Sequence, residues 1–285
     1  MIDAARPEFL HMAAFADGPG GGNMAGVVLD AAGLDDAQMQ EIAKDLGYSE
    51  TAFVTSPLDA GRRARIRYFS PGAEVPFCGH ATMATAVALA EKFGAGPFRL
   101  DTPVGEIVLA TAPSERGFEA SFTSVEPRVT EFEPSVLRRL LELLSLDSGA
   151  LHPEYPPRLS FTGNTHPILV LGRDSDFEAF GFDAHAMREL MDEQGWAGTV
   201  TVLRVMGPTE FEARNLFPVG SIREDPATGS AAASLGAYLR ALGAVDTPAK
   251  VLIHQGRHLG RPSILRVFIP ASGGITVSGT ATHTS

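Results

Sequence analysis

Two short stretches of this chain concentrate side chains with chemistry to offer. Residues 74–81 read Glu-Val-Pro-Phe-Cys-Gly-His-Ala, and residues 224–231 read Glu-Asp-Pro-Ala-Thr-Gly-Ser-Ala. Glu, Pro, Gly and Ala recur at a constant offset of 150 residues. Between them the blocks supply Cys78, His80, Asp225, Thr228 and Ser230. A sixth candidate, Glu50, lies in Tyr48-Ser49-Glu50-Thr51-Ala52-Phe53. A carboxyl followed by the apolar Ala52 and Phe53 loses water, and desolvation moves it toward the range where it both donates and accepts a proton. The plainer alternative is a solvated loop acid. His80 either exchanges a hydrogen bond with a substrate or caps its own helix. Asp225 stands where the first block has Val75, an asymmetry that suits one acid–base group with orienting partners.

The glycines of the blocks matter as much as the side chains. Gly79 and Gly229 each open an Ala-rich helical stretch, where first-turn N–H groups have no intrahelical partner and attract an anion. If the two repeats are related by an approximate twofold, both helix ends face one cleft and cradle a carboxylate. Asn23, Cys78, Gly79, Thr228 and Gly229 are then the candidates for touching substrate. The alternative is helix ends capped by their own side chains and water. A racemase with two opposed thiols is disfavoured, because Thr228 stands opposite Cys78 in the repeat and Cys78 is the single cysteine. That count also excludes a disulfide and a multi-thiolate zinc site.

Other motifs lead nowhere. Gly18-Pro19-Gly20-Gly21-Gly22 lacks the Lys-Ser/Thr of a phosphate loop and the dinucleotide-binding spacing. His254 and His258 are separated by Gln255-Gly256, against a helix that would join them, so no metal is expected. His11, His152, His166, His185 and His283 show no acidic or thiol constellation in the sequence.

These residues must be positioned by elements that the patterning predicts. Strands are expected over Phe9–Phe15, Ala25–Leu29, Ala52–Thr55 and Arg63–Phe69. A helix capped at Asp35 or Asp36 buries Met39, Ile42, Ala43 and Leu46 and stops at Gly47. Gly79–Lys92 and Thr228–Leu242 carry small side chains on every face, which predicts enclosed helices. Val136–Leu144, capped by Ser135, and Asp183–Glu193 are amphipathic helices. Turns are expected at Pro71-Gly72 and Pro218–Gly220. A second echo, Gly22-Asn23 before an apolar run and Gly163-Asn164 before another, reinforces the reading of two similar tandem domains. A length of 285 residues agrees with two domains at about 150 each. The net charge of −11 argues against nucleic acid and anionic membrane as partners. The N-terminal residues show no signal peptide pattern and no run is long enough to span a bilayer, so a cytoplasmic location is expected.

The pattern of Gly22-Asn23, Ser49-Glu50-Thr51-Ala52-Phe53, Arg67-Tyr68-Phe69-Ser70-Pro71, the two blocks, Gln255-Gly256 and Gly260-Arg261-Pro262-Ser263 resembles the phenazine-biosynthesis PhzF-like family. That family lies in the diaminopimelate epimerase fold superfamily, and the resemblance runs from about residue 8 to 270. It implies an α+β fold of two similar β-roll or barrel domains, each around a central helix, with an epimerase-like pseudo-twofold. The first domain would take 1–115 completed by 273–285, and the second 116–272. The resemblance places the general acid/base on Glu50, supported by His80, Asp225 and Ser230. It implies an isomerase acting without metal or organic cofactor on a small cyclic or aromatic-like carboxylate. The alternatives are a non-catalytic interaction module on the same fold and an amino-acid epimerase. A homodimer is the default expectation.

Overall fold

The computed structural model describes residues 7–219 and 222–284. The turn expected at Pro218–Gly220 runs into Gly220, outside the described residues. The chain forms two compact units: one holds the chain up to Phe122 together with the segment from Ser278, the other holds Thr123–Val277.

In the first unit β1 (Leu10–Ala14), β2 (Asn23–Val28), α1 (Asp36–Leu46), β3 (Glu50–Val54), β4 (Arg63–Phe69), β5 (Glu74–Val75) and α2 (Gly79–Phe93) precede three longer strands. These are β6 (Gly96–Thr102), β7 (Gly105–Ser114) and β8 (Gly117–Thr123). The second unit contains β9 (Arg128–Thr130), α3 (Pro134–Leu143), β10 (Arg158–Phe161), β11 (Thr165–Leu171), α4 (Asp174–Ala179) and α5 (Ala184–Gln194). It continues through β12 (Val200–Gly207), β13 (Glu210–Val219), β14 (Ile222–Asp225), α6 (Gly229–Leu242), β15 (Ala249–Gln255) and β16 (Ser263–Ile269). The chain then returns as β17 (Thr276–His283).

Strand pairing in the first unit closes on itself. β1 pairs antiparallel with β2, β2 parallel with β3, β3 antiparallel with β4, and β4 parallel with β6. β6 and β7 are antiparallel, as are β7 and β8. β17 lies between β8 and β1, completing a ring of eight strands. A closed ring leaves no sheet edge. α2 runs through this unit with every residue from His80 to Ala90 buried. A helix enclosed on all sides must be thin, which is why Ala, Thr and Val dominate it.

The second unit repeats the order of orientations. β10–β11 is antiparallel, β11–β12 parallel, β12–β13 antiparallel, β13–β15 parallel and β15–β16 antiparallel. The short β14 hangs on β13 as β5 hangs on β4. Its central helix α6 is buried continuously from Ala231 to Leu239. At Gly236 a Cβ would sit 2.8 Å from Ile275 and 2.9 Å from Val267, so only glycine lets α6 approach the strands this closely. Parallel neighbours need a crossover: α1 connects β2 to β3, while α4 and α5 connect β11 to β12.

Local signals explain most boundaries. Asp35 caps α1 in a reciprocal box with Gln38, and Gly47 ends it at φ 67°. Asp183, expected as the first residue of its helix, instead caps α5, accepting from the Ala186 N–H. α3 differs: its cap is Glu133 and not Ser135, because Pro134, with its preset φ, opens the helix two residues earlier. Among the described residues no helix is long and apolar enough to cross a membrane.

Candidate active site

In the first unit the end of α1 at Gly47 delivers Tyr48 and Ser49, so that Glu50 opens β3 opposite Ala25 of β2. Two residues before Ala25, Asn23 opens β2, 3% exposed. Cys78 takes the capping position of α2 in extended geometry, and His80 lies in the first turn. Three elements therefore converge on one spot. The Glu50 carboxylate is 3.5 Å from His80 Nε2 and 3.4 Å from Cys78 Sγ. Cys78 Sγ is 3.4 Å from His80 Nδ1 and 3.7 Å from Nε2. Asn23 Nδ2 is 3.1 Å from His80 Nδ1, and Ser49 Oγ is 3.4 Å from Nε2. An amide N–H toward Nδ1 puts the imidazole proton on Nε2, facing Glu50 and Ser49.

The backbone at Cys78 is tied down from below. Thr82 donates to the Cys78 carbonyl at 2.6 Å, and its hydroxyl accepts from Tyr68 Oη at 2.6 Å. Burial pushes the Tyr68 phenol far above its ordinary value, so it stays a neutral donor. The side chain of Cys78 makes no capping bond to its own helix.

The second unit holds the counterpart set. Thr228 caps α6 in position only, since its hydroxyl donates to the Asp225 carboxylate at 2.6 Å and accepts no bond from a helix N–H. Gln255, at the end of β15, accepts from the Thr228 N–H at 3.1 Å. Its amide nitrogen donates to Thr228 Oγ1 at 3.0 Å and to the Asp225 carbonyl at 2.6 Å. Gln255 thereby locks the turn before α6. Ser230 Oγ is 3.0 Å from Nε2 of His166, a residue of β11 with no exposed surface. Burial holds the His166 pKa down to about 4, so the ring is neutral. Nδ1 lies 3.0 Å from the Thr199 nitrogen and 3.1 Å from the Thr199 carbonyl oxygen, so Thr199 fixes the ring against Ser230.

The structure thus brings Asn23, Glu50, Cys78, Gly79 and His80 together in one unit, and Asp225, Thr228, Gly229 and Ser230 in the other. Sequence reasoning missed Gln255 as a site residue and dismissed His166. The signal for His166 was the Gly163-Asn164 echo: the residue beside the second helix start is supplied by β11 as Asn23 is by β2. Cys78, one of the candidates for touching substrate, is in contact with both Glu50 and His80.

The first glutamate of each block has a structural role. Arg67 of β4 grips Glu74 through two bonds of 2.7 Å and reaches Asp36 at 2.6 Å. Arg214 of β13 grips Glu224 at 2.5 and 3.2 Å. In both units the arginine stands two residues before the strand partner of the glutamate, Phe69 or Leu216. The clamp pins the turn that feeds the helix.

The chain and its fold have matches among known proteins. The family model described as phenazine biosynthesis-like protein matches residues 12–285. The chain belongs to this family. The uncharacterized isomerase YddE of Escherichia coli O157:H7 is 33% identical over 290 residues, covering 97% of this chain and 96% of its own. Trans-2,3-dihydro-3-hydroxyanthranilate isomerase of Pseudomonas chlororaphis is 31% identical over 260 residues, 91% of this chain and 88% of that one. The crystal structure of the Bacillus anthracis phenazine biosynthesis protein of the PhzF family aligns with a TM-score of 0.83. That alignment has 25% identity and covers 97% of this chain and 96% of the other. Its relatives make this phenazine biosynthesis-like protein a member of a family of isomerases, and the α+β fold of two epimerase-like halves is the family's own.

Proposed function

We propose that this protein shifts a proton within a small cyclic carboxylate, with Glu50 as the single general acid/base and no metal or organic cofactor. The observation that carries the proposal is the Glu50 carboxylate itself: 18% exposed, held 3.5 Å from His80 Nε2 and 3.4 Å from the Cys78 thiol. A carboxyl group between an imidazole and a thiol is held in place but keeps a free oxygen lone pair for a substrate proton. It takes a proton from one carbon of a planar intermediate and returns it to another on the same face.

The substrate acid group is recognised by main-chain N–H donors at the start of α2, near Gly79-His80. The capping side chain of Cys78 makes no bond to its helix, which supports this assignment. At Gly79 an added Cβ would meet only a Phe77 ring atom at 3.9 Å, so the backbone there is approachable. In the second unit Asp225 and Ser230 are each fixed by a hydrogen-bond partner, Thr228 and His166. An epimerase using two opposed acid–base groups finds no second thiol, and the Thr228 hydroxyl already donates to Asp225.

The first compound to try is trans-2,3-dihydro-3-hydroxyanthranilate, because the Pseudomonas chlororaphis relative is named for its isomerisation. Small cyclic carboxylates with an acidic C–H follow. Proton NMR in D2O should show a moved double bond or deuterium entering at carbon, and the Glu50→Gln enzyme should show neither. Equal deuterium uptake by the Glu50→Gln enzyme would sink the assignment.

A further inference from the structure

The Glu50 cluster is drawn from two elements, and the contacts that join them are weak. Glu50 belongs to β3, whereas Cys78 and His80 belong to the start of α2. The bridging distances are 3.4 Å to the thiol and 3.5 Å to the imidazole, and a thiol is a poor donor. Contacts this long do not fix one element against another. The short bonds lie behind the cluster. Thr82 Oγ1 is 2.6 Å from the Cys78 carbonyl oxygen and 2.6 Å from Tyr68 Oη. We propose that Tyr68 and Thr82 are positioning residues of the isomerase, holding the start of α2 at the distance from β3 at which Glu50 meets Cys78 and His80. The link to turnover rests on Glu50 being the acid/base; the link to geometry does not.

Proton count fixes the direction of this relay. The Thr82 hydroxyl has one hydrogen and gives it to the Cys78 carbonyl, so Tyr68 donates to Thr82. The same carbonyl also accepts the Thr82 main-chain N–H at 3.0 Å. Tyr68 has no exposed surface and Thr82 is 2% exposed, so solvent does not stand in for either hydroxyl. In such surroundings linked hydrogen bonds reinforce one another.

Tyr68 is anchored at its other end to the strand pair that carries Glu50. It lies on β4 opposite Ala52 of β3, two residues beyond Glu50. Its ring also meets the ring of Phe77, the residue before Cys78, edge-on at 5.9 Å. One side chain thus ties the β3–β4 pair to the turn that opens α2. Thr85 provides a comparison within the same helix, making the same back-bond to the Ala81 carbonyl at 2.8 Å, farther from the cluster.

The kinetic consequence follows from what moves with what. A substrate held by the N–H groups near Gly79-His80 travels with α2, while the base stays on β3. Loosening the relay therefore lowers kcat and leaves KM little changed. A displacement of about 1 Å costs up to about a hundredfold.

The test uses the full chain and three variants: Thr82→Val, Thr82→Val combined with Tyr68→Phe, and Thr85→Val as the control. Thr82→Val leaves the buried phenol without its acceptor, so stability and turnover should both fall. The double variant removes both polar groups, and its urea midpoint should return most of the way to wild type. Its kcat should nevertheless stay about tenfold or more below wild type. Cys78 is the single cysteine, so its alkylation by iodoacetamide under native conditions reports release of the helix start without any substrate. Alkylation should be several-fold faster in the double variant and unchanged in Thr85→Val. Thr82→Ser, which keeps the hydroxyl, should restore slow alkylation and turnover. Wild-type alkylation in the double variant would overturn the proposal and leave the relay a source of stability alone. Fast alkylation with wild-type kcat, on a substrate that Glu50→Gln fails to turn over, would overturn the link to turnover. A Glu50→Gln enzyme that keeps its turnover would overturn the isomerase reading and leave the geometric half standing.

Discussion

Glu50 and Cys78 sit 3.4 Å apart and invite a direct contest for the role of base. Glu50→Gln preserves size and hydrogen-bonding span but cannot carry the proton. On a true substrate its turnover should fall at least about a hundredfold while binding is largely kept, the range typical of a lost acid–base group. Cys78→Ser retains a hydroxyl donor toward Glu50 and should cost far less; the reverse ranking in steady-state kinetics would make the thiol the base. His166 makes a different prediction. Its native pKa of about 4 is depressed from an ordinary 6.5, so between those values the unfolded chain binds the proton that the native ring refuses. Stability contributed by this residue is therefore present above pH 6.5 and falls as pH drops toward 4. The loss is on the order of 3 kcal/mol at its fullest. Urea unfolding at several pH values should show a shallower acid decline in His166→Gln than in wild type, and parallel declines would refute the buried neutral ring. Cys78 and His80 were legible as candidates because both flank the helix-opening Gly79, and Glu50 because it precedes the apolar Ala52 and Phe53. His166 was not, because its role comes from β11 carrying it beside Ser230, 64 positions later in the chain.

The clamps that feed the two central helices should differ in worth. Arg214 and Glu224 are only 10% and 11% exposed, whereas Arg67 and Glu74 are 27% and 38% exposed. Leaving a buried charge without its partner costs about 3–5 kcal/mol, while exposed pairs are worth about 1 kcal/mol or less. Arg214→Ala should thus lower the denaturation midpoint much more than Arg67→Ala, and equal losses would show that burial does not set the scale. A second test lies at Gly256, φ 79°, just after Gln255: an added Cβ would be 2.3 Å from the Arg261 carbonyl and 2.6 Å from that of Pro226. Gly256→Ala cannot be accommodated without moving the loop that keeps Gln255 on Thr228, so it should impair both folding and turnover. The constant 150-residue offset exposed these paired elements in advance, since the same backbone turn demands Pro and Gly in the same places. What the sequence hid was pairing partners. Nothing local says that β4 lies parallel to β6 or β13 to β15; long-range register is settled by burial of both faces.

At the scale of the molecule, the repeat predicts two units of one topology, and the order of strand orientations agrees. The first unit is not contiguous in sequence: its ring of eight strands is closed by β17, which follows the whole of the second unit. Chain ending at Val277 should therefore leave β1 and β8 with open edges. Such a truncated protein should lose cooperative unfolding of the first unit and its activity, as read by hydrogen exchange at β1 and β8 and by turnover. Retained protection there would show that the ring does not need its last strand.

The placement of that strand also sets an order of events in time. A ribosome emits β1 to β8 first, yet the sheet that holds Glu50 cannot close until the entire other half has been threaded out behind it. The second unit, Thr123–Val277, is continuous and free to fold while translation proceeds. Strands β1 to β8 therefore wait for the second unit, and the sheet around Glu50 is completed only after Val277 has been made.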